Sequence, residues 1–354
     1  MSDEELEDLE QLEDISTELV PKEPPVSSVK PDKGIIASFI QNPLPVIIMD
    51  GDLQITFANE ACNKLFANFY HFEGSRLPDV FGRALGIASL KDLLVCVKSP
   101  DRGYSWKGMI RSKARESGTI LTKSYLFPIH SQTYNGSPPS AFVALFDDVT
   151  EENKSLLRSV FLSLLEASKL KDNDTGKHIN RVNIYSERMA LELFDRPGYE
   201  EIDRDFIDDI AFLAAMHDVG KIGTPDDILN KEGPLSDWEW TIMKEHTKNG
   251  AYILSTYPNP MAREIALYHH ERWDGSGYPY NLEKAMIPLA ARIVTIADVY
   301  DALRMKRSYK KPFDHQTAMA KIKEWSGTHF DPALIEIFDR IEDDFEASYR
   351  ENSD

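Results

Sequence analysis

Seven side chains in the C-terminal half of the sequence have the types and the setting that metal coordination requires. Five are imidazoles, and each falls in or at the end of a segment with helical periodicity. Two are carboxylates, one directly after an imidazole and one inside an apolar run. Imidazole nitrogens and carboxylate oxygens form the mixed ligand set that suits iron, manganese or zinc. The seven residues are His178, His217, Asp218, His246, His269, His270 and Asp298.

Taken one at a time, each of these residues has an ordinary structural explanation, either as a helix cap or as a polar group paired in a core. Together they are harder to explain in that way, because a helical bundle has one interior in which distant segments meet. Asp298 lies between Ala297 and Val299, at a position that should face the core. A buried carboxylate is costly unless it is paired or bound to a metal. The set therefore predicts a metal centre inside a bundle.

A glycine-rich loop follows the His269-His270 pair directly. Gly275 and Gly277 allow backbone angles that other residues avoid, and Pro279 prevents the preceding helix from continuing. Such a turn lets the backbone approach a ligand closely. The loop is therefore expected to fold tightly over whatever the two histidines bind.

Length and charge limit what the protein can bind. The chain has 354 residues, which corresponds to two domains at roughly 100–200 residues per domain. Its formal charge of −19 argues against binding to a nucleic-acid polymer or to an anionic membrane, because phosphates would be repelled. A small anionic substrate is compatible with that charge if metal ions supply local positive charge.

Cysteine content and the N-terminus indicate the compartment. Cys62 and Cys96 are the only cysteines, so the sequence holds neither a disulfide framework nor a CxxC zinc site. No apolar run approaches the roughly 18 residues of a membrane span, and the acidic N-terminus lacks the basic start of a signal peptide. The sequence therefore predicts a soluble, cytoplasmic protein.

Residues 1–33 form an acidic, proline-containing tail or linker. Leucine and isoleucine recur at helical spacing among acidic residues as far as Leu19, and four prolines follow from Pro21 to Pro31. Two interpretations stay open for this segment. It is either a disordered, solvated tail or a short amphipathic helix that binds a partner protein.

Residues 34–150 have the pattern of an α+β domain. An Asp50-Gly51 turn separates the first two strands, and Asn59 is expected to cap a helical segment that runs to Phe66. The order of two strands, small helices and three strands is that of a sensor-like module. The five strands are predicted at residues 46–49, 54–57, 106–112, 119–128 and 141–148.

The rest of the chain is predicted to be helical. Residues 151–170 form one connecting helix with an apolar stripe, and residues 171–354 form an all-α bundle of about seven helices. Ser236 has the spacing of a capping box, and Asp314 and Asp331 are expected to start two further helices.

The N-terminal module carries a first family resemblance. The segment from Phe57 to Phe66 resembles the start of a PAS domain, and Phe146 to Glu151 is similar to the exit from that domain into a signalling helix. This resemblance implies sensing or dimerisation, so a homodimer through the PAS-like domain and the connecting helix is expected. No cofactor of this domain is identified. His71 and His130 could ligate haem but fit ordinary surface histidines better, and the sequence has no cysteine motif for a flavin adduct.

The C-terminal half resembles the HD-GYP family of metal-dependent phosphohydrolases, over about residues 155–345. Several ordered motifs carry this resemblance together, which makes it far more specific than a lone His-Asp pair. They are Thr175-Gly176-Lys177-His178, His217-Asp218-Val219-Gly220-Lys221, Lys244-Glu245-His246, His269-His270-Glu271-Arg272-Trp273-Asp274-Gly275, Gly277-Tyr278-Pro279, Asp298-Val299-Tyr300-Asp301-Ala302-Leu303 and Arg307-Ser308-Tyr309-Lys310.

The resemblance implies hydrolysis of cyclic di-GMP to linear pGpG, and to GMP if the reaction continues. It assigns the seven residues above as ligands of two divalent metal ions, with Asp218 as the bridge. Iron is the expected metal, with manganese or zinc as alternatives. The implied reaction is in-line attack by a metal-bridged hydroxide, with Asp218 and Lys221 as catalytic residues. The implied substrate contacts are Tyr278, Gly275, Gly277 and the phosphate-holding pair Arg307 and Lys310.

Three positions depart from the family pattern. Asp174 occupies the place of a glutamate that would reach a third metal, and its shorter side chain makes two metals the expected count. Ser308 replaces a proline and loosens the loop that carries Arg307 and Lys310. Thr247 also replaces a proline, but none of the three changes removes a ligand of the two-metal set.

Two other functions stay open. One is a non-hydrolysing receptor that binds cyclic di-GMP and engages a partner protein. The departures at Asp174 and Ser308 are the reason to retain this alternative. The other is a phosphohydrolase that acts on a different nucleotide. The Gly-Tyr-Pro loop around Tyr278 and the pair Arg307 and Lys310 argue against this second alternative.

Overall fold

A computed structural model describes most of the chain as two compact units, Met1–Leu156 and Leu157–Asp354. The residues described are 39–40, 42–66, 72–114, 118–130, 138–169, 171, 176–305 and 312–352. Each unit has a hydrophobic core of its own. None of the helices described is both long and apolar enough to cross a lipid bilayer.

The N-terminal unit is built on a five-stranded antiparallel sheet. Its strands are β1 Val46–Asp50, β2 Ile55–Ala58, β3 Trp106–Ala114, β4 Gly118–Ile129 and β5 Ala141–Asp148. Their order in the sheet is β2-β1-β5-β4-β3. All five residues of β1 are buried, as expected of a central strand that reads as a continuous apolar run. The five predicted strands are confirmed within two residues at every end.

The turn and the cap predicted in this unit are also confirmed. The Asp50 carboxylate accepts hydrogen bonds from the backbone N–H groups of Asp52 and Gln54, which closes the turn between β1 and β2. Asn59 caps α1, Glu60–Leu65, by accepting from the Cys62 backbone N–H. The second helix, α2 (Leu77–Cys96), is interrupted at Gly86, which adopts a φ of 73°.

A cluster of aromatic rings fills the core of the N-terminal unit. Phe66 packs edge-on against Phe81 and Phe146, with ring centroids 5.0 and 5.1 Å apart. A cavity beside Trp106 and Leu126 measures about 10 Å³, which is near the minimum for one water molecule. The interior described is therefore close-packed.

The C-terminal unit is helical. The connecting helix α3 runs over Thr150–Lys169, as predicted to within one residue. The helices that follow are α4 Gly176–Leu193, α5 Arg204–Leu213, α6 Asp226–Leu229, α7 Asp237–Lys244, α8 His246–Ile253, α9 Pro260–Tyr268, α10 Leu289–Arg304, α11 His315–Glu324, α12 Pro332–Arg340 and α13 Glu342–Glu351.

The prediction of about seven helices after residue 170 is wrong, because ten α-helices occur in the described part of that region. Two of the extra breaks separate helices that are adjacent in sequence. Glu245 lies between α7 and α8, and Ile341, with φ −112° and ψ 20°, lies between α12 and α13. Helices as short as the four-residue α6 carry no complete helical period that a sequence pattern could reveal.

Side-chain caps fix where several of these helices begin. Ser236 forms a complete capping box with Glu239, and Asp314 accepts from the Thr317 backbone N–H. Asp331 accepts from the backbone N–H of Ala333. All three predicted helix starts are confirmed.

Helix α10 is the central element of the C-terminal unit. Eleven of its sixteen residues are buried, as expected of a helix that is apolar around most of its circumference. Tyr300 on α10 packs edge-on against Tyr185 of α4, with centroids 5.3 Å apart. Tyr185 in turn stacks on Phe345 of α13 at 4.4 Å. This packing holds α4 and α10 side by side, and each carries polar residues of the candidate site.

Candidate metal centre

The seven predicted ligands come together in two adjoining groups. Within each group, every residue offers one ligand atom that lies within 4.8 Å of the others. Asp218 stands between the groups, because its Oδ2 lies 3.3 Å from His217 Nε2 and its Oδ1 lies 3.4 Å from His246 Nε2. The first group is Asp218, His246, His269 and His270, and the second is His178, His217 and Asp298.

Breaks in the helices supply most of these side chains. His246 opens α8, His269 and His270 follow the last residue of α9, and His217 ends a 3₁₀ turn that continues α5. His178 and Asp298 instead project from α4 and α10. Three separate helix ends and two helix faces therefore converge, which agrees with the expectation that the imidazoles fall in or at the ends of helices.

The turn that carries His217 and Asp218 depends on a close approach at Gly220. A Cβ atom on Gly220 would lie 1.9 Å from the His246 carbonyl oxygen and 2.3 Å from the Gly250 backbone nitrogen. Both obstacles are backbone atoms of α8, so neither can rotate away. Because Gly220 has no Cβ atom, the turn that carries Asp218 can lie directly against His246.

Gly220→Ala is therefore expected to destabilise the C-terminal unit by about 3 kcal/mol or more, at the upper end for overpacking. Metal content should fall with it, because the turn can only relieve the clash by moving away from α8. Chemical denaturation together with elemental analysis measures both effects. Gly176→Ala is the matched control, since its Cβ would meet only the flexible end of Lys169 at 3.3 Å. Equal stability of the two variants would contradict the close-approach explanation.

Hydrogen bonds fix the orientation of three imidazoles. Nδ1 of His217 lies 2.8 Å from the Ala214 carbonyl oxygen, and Nδ1 of His246 lies 2.6 Å from that of Met243. Nδ1 of His269 is 3.1 Å from the carbonyl oxygens at 265 and 266. A carbonyl can only accept, so each Nδ1 carries the proton and donates. The Nε2 lone pairs are then left to face the centre.

Those inward-facing atoms test whether a metal fits. The buried Nε2 atoms of His217, His246 and His269, together with Asp218 Oδ1, have no hydrogen-bond partner among the described residues. Leaving such an atom unpaired in a protein interior costs about 1–3 kcal/mol. Four unpaired acceptors around one point are what divalent cations would satisfy, so the residues present fit a metal pair.

The pKa values of His246 and His270 point the same way. Burial lowers the pKa of His246 to about 4, and burial with the neighbouring imidazoles lowers the pKa of His270 well below its usual range. Both are therefore neutral, the form that binds metals. Burial opposes ionisation of Asp218, but Lys221 and His217 hold its pKa well below the usual value. Burial likewise opposes charge on His217, yet Asp218 and Asp298 raise its pKa to about 9. The two carboxylates therefore favour positive charge at this point.

A buried carboxylate behind the centre orients His178. Asp301 Oδ2 lies 2.7 Å from His178 Nδ1. Arg181 donates two hydrogen bonds to the same carboxylate, from Nε at 2.6 Å and from Nη2 at 2.9 Å. Asp301 is 0% exposed and Arg181 is 1% exposed. A carboxylate that accepts from the distal nitrogen of a ligating histidine fixes its tautomer and raises its basicity.

Sequence reasoning missed Asp301 and Arg181, although a signal was present. His178 and Arg181 are three residues apart on α4, and Asp298 and Asp301 are three residues apart on α10. Residues at that spacing share a helix face. Two facing helices with such matched polar pairs could have indicated an ion pair behind the ligands.

The loop after His270 folds back on itself through Glu271. The Glu271 carboxylate accepts from the backbone N–H of Tyr280 at 2.7 Å and from that of Leu282 at 3.1 Å. Gly277 fits because a Cβ there would lie 2.4 Å from the Arg272 backbone nitrogen. Gly275 adopts a φ of 78°, in the left-handed region. The tight loop expected from the glycines is therefore present, closed by a glutamate that the sequence did not single out.

The remaining predicted residues fall into two sets. Lys221 Nζ lies 2.7 Å from Asp218 Oδ2, and the Tyr278 ring stacks on His270 with centroids 4.7 Å apart. Gly275 holds its loop conformation without lining the cleft described next. Asp174, Arg307 and Lys310 lie outside the described residues, as does Ser308.

A cleft opens beside His270, and we name it the His270 cleft. Its volume is about 570 Å³, within the usual range of roughly 300–1,000 Å³ for small-molecule sites. It is lined by Asp237, Trp240, Thr241, Lys244, His270, Arg272, Ser276, Gly277, Tyr278 and His329.

Comparison with known proteins identifies the domain that holds this centre. Residues 200–334 match the family described as HD domain. A cyclic di-GMP phosphodiesterase of Vibrio cholerae serotype O1 is 40% identical over 232 residues, covering 62% of this chain and 47% of that protein. A cyclic di-GMP phosphodiesterase of Thermotoga maritima is 40% identical over 206 residues, covering 57% of this chain and 54% of that protein.

A third relative has a different substrate in its name. A 3′3′-cGAMP-specific phosphodiesterase of Vibrio cholerae is 39% identical over 206 residues, covering 57% of this chain and 37% of that protein. The chain therefore spans about half the length, or less, of these curated relatives. The family match includes six of the seven clustered ligands, all except His178. Residues 200–334 of this chain accordingly match the HD-domain family, and the resemblance drawn from the His217-Asp218 motif is confirmed.

Proposed function

We propose that the C-terminal unit hydrolyses cyclic di-GMP to linear pGpG at a centre of two divalent metal ions. The observation that carries this proposal is the cluster of unpaired, inward-facing ligand atoms around Asp218. The names of two relatives at 40% identity supply the substrate. Conversion of pGpG to GMP would need hydrolysis of its remaining phosphodiester bond.

The chain's own residues prepare the centre for a phosphodiester. Bound metals would supply Lewis-acid stabilisation of the attacked phosphate and a nucleophilic hydroxide at neutral pH. The hydrogen bonds at Nδ1 fix the orientation of the imidazoles, with their Nε2 atoms turned inward. Lys221 keeps Asp218 ionised from 2.7 Å and holds a proton donor at the edge of the cluster. Tyr278, stacked on His270, forms the wall along which the substrate enters.

The metal count and identity are part of the proposal. Two groups that meet at Asp218 support two ions. The mixed imidazole and carboxylate set accepts iron, manganese or zinc according to supply, and iron is the metal expected from the family resemblance. A third ion through Asp174 stays a prediction from the sequence, since that residue lies outside the described part of the chain.

A turnover assay on metal-loaded protein tests the proposal directly. The chain is purified under reducing, anaerobic conditions, its metals are quantified, and cyclic di-GMP is followed to linear product. Tight binding without product would support the receptor alternative. Faster turnover of 3′3′-cGAMP would support the nucleotide alternative, which the relative specific for that substrate keeps open.

Arg307→Ala is expected to raise KM for cyclic di-GMP and leave metal content unchanged. This residue lies outside the described part of the chain, so the prediction rests on the family motif. An arginine fork binds two phosphate oxygens at once, and lysine offers only a point charge. Arg307→Lys should therefore recover only part of the affinity. Loss of metal from Arg307→Ala would contradict a substrate-binding role.

We further propose that the N-terminal unit is a PAS-like sensor and that the chain forms a homodimer through this unit and α3. The order of strands and helices around the antiparallel sheet supports the first part. Leu156 and Val160, four residues apart on one face of α3, are 63% and 58% exposed, which leaves an apolar strip for a second copy. Sedimentation equilibrium of the full chain tests the dimer. Partner binding through residues 1–33 and a cytoplasmic location stay predictions from the sequence.

A further inference from the structure

The His270 cleft has an aromatic side chain on its outer edge. Trp240, on α7, lines the cleft and leaves 46% of its surface exposed. Trp238, two residues earlier on the same helix, is 70% exposed but does not line the cleft. Residues two apart on a helix do not face the same way, so only one of the two indoles is turned toward the site.

The inner wall of the cleft belongs to the metal centre. His270 is a member of the candidate ligand group, and the Tyr278 ring lies against it at an interplanar angle of 28°. Lys244 Nζ lies over the Tyr278 ring, 5.3 Å from its centroid. A molecule whose phosphate lies at the centre would therefore extend along Tyr278 toward Trp240.

The charge of the cleft suits an anionic, heteroaromatic ligand. Lys244 and Arg272 line it against one carboxylate, Asp237, in a chain whose formal charge is −19. The buried Nε of Arg272 makes no hydrogen bond with the described residues, and its distance of 3.8 Å from Asp274 Oδ1 is too long for one. Burial lowers the pKa of His329 to about 4, so that imidazole is neutral and can pair with the edge of a base.

We propose that Trp240 is the stacking platform for one nucleobase of the substrate, held in the His270 cleft while the scissile phosphate lies at the metal centre. This inference rests on the proposed function and adds a specificity-determining residue to it. An exposed indole that lines the same cleft as two cations matches the way single-stranded nucleotides are bound, by aromatic stacking with charge along the backbone. Because Trp240 is not one of the clustered ligands, it acts on affinity for the substrate and not on the chemical step.

Three variants test the platform: Trp240→Ala, Trp240→Phe and Trp238→Ala. Trp240→Ala should raise KM for cyclic di-GMP by about 5- to 150-fold, the range that loss of one base stack gives, with kcat and metal content unchanged. Trp240→Phe keeps an aromatic face and should recover most of that loss. Trp238→Ala is the matched control and should behave as wild type.

Direct binding gives a readout that needs no turnover. Quenching of tryptophan fluorescence by cyclic di-GMP or 3′3′-cGAMP should persist in Trp238→Ala and largely disappear in Trp240→Ala. Turnover with unchanged KM in Trp240→Ala would overturn the stacking role and leave the proposed function intact. Binding that depends on Trp240 without any turnover would support the stacking role and overturn hydrolysis. A wild-type chain that neither binds nor hydrolyses either dinucleotide would overturn both.

Discussion

Replacing Asp218 with alanine is expected to remove metal loading and phosphodiesterase activity together. Asp218 Oδ1 lies 3.4 Å from His246 Nε2 and 3.7 Å from His269 Nε2, and Oδ2 lies 3.3 Å from His217 Nε2. One carboxylate therefore serves both ligand groups. Partners that only orient a ligand are worth about 10–100-fold in affinity or activity, so loss of this shared ligand should exceed 100-fold.

Two further variants make the Asp218 result interpretable. Asp218→Asn keeps the shape of the side chain but removes the charge that Lys221 stabilises, so it should lose metal nearly as completely. Asp227→Ala removes an exposed carboxylate nearby in the sequence and should change neither metal content nor turnover. Metal is measured by elemental analysis and product by chromatography. A full metal complement in Asp218→Ala would show that the ligand assignment is wrong.

The positions of the candidate ligands were predictable because residue type and helix periodicity both carry the signal. His217 and His269 each fall where an apolar helical run stops, and His246 opens α8. The periodicity could not predict the local backbone conformation around Asp218. The 3₁₀ turns on either side of Asp218 span only three and five residues, fewer than a pattern of period 3.6 needs.

The ion pair of Asp301 and Arg181 behind the candidate ligands could not be assigned from sequence for a different reason. Asp298 and Asp301 both lie in the apolar run of α10, three residues apart and on one face. Nothing in their types distinguishes the carboxylate turned toward the ligand cluster from the one turned toward Arg181. Only the packing of α4 against α10 decides it. The same holds for Trp240, whose exposure on the cleft side of α7 depends on where the loop around Tyr278 folds.

The strands of the N-terminal unit were the most predictable elements. β1 is a run of buried apolar residues that ends at the Asp50 turn, and β5 matches its predicted bounds at both ends. Turn residues and capping side chains act locally, so they are read without knowledge of the tertiary contacts. The predicted number of helices in the C-terminal unit was wrong because breaks such as the one at Ile341 are set by packing and not by a helix-breaking residue.

Asp301→Asn is expected to weaken both the fold and the metal centre. Its carboxylate is fully buried, receives two hydrogen bonds from Arg181 and orients His178. Removing one partner of a buried ion pair costs about 3–5 kcal/mol, because the other charge stays buried and uncompensated. Loss of the carboxylate behind a ligating histidine should also lower metal affinity by about 10–100-fold. Denaturation of metal-free protein and metal titration separate the two effects.

A surface ion pair in the same unit provides the comparison. Lys248 Nζ lies 2.9 Å from Glu245 Oε1, with the two side chains 44% and 48% exposed. Water screens such a pair, so Lys248→Ala should cost less than about 1 kcal/mol and leave metal binding unchanged. The two pairs have similar distances but differ in burial, in contact with His178 and in the two hydrogen bonds that Arg181 donates. If Asp301→Asn were as mild as Lys248→Ala in both measurements, Asp301 would be a packing residue and His178 would be held by other contacts.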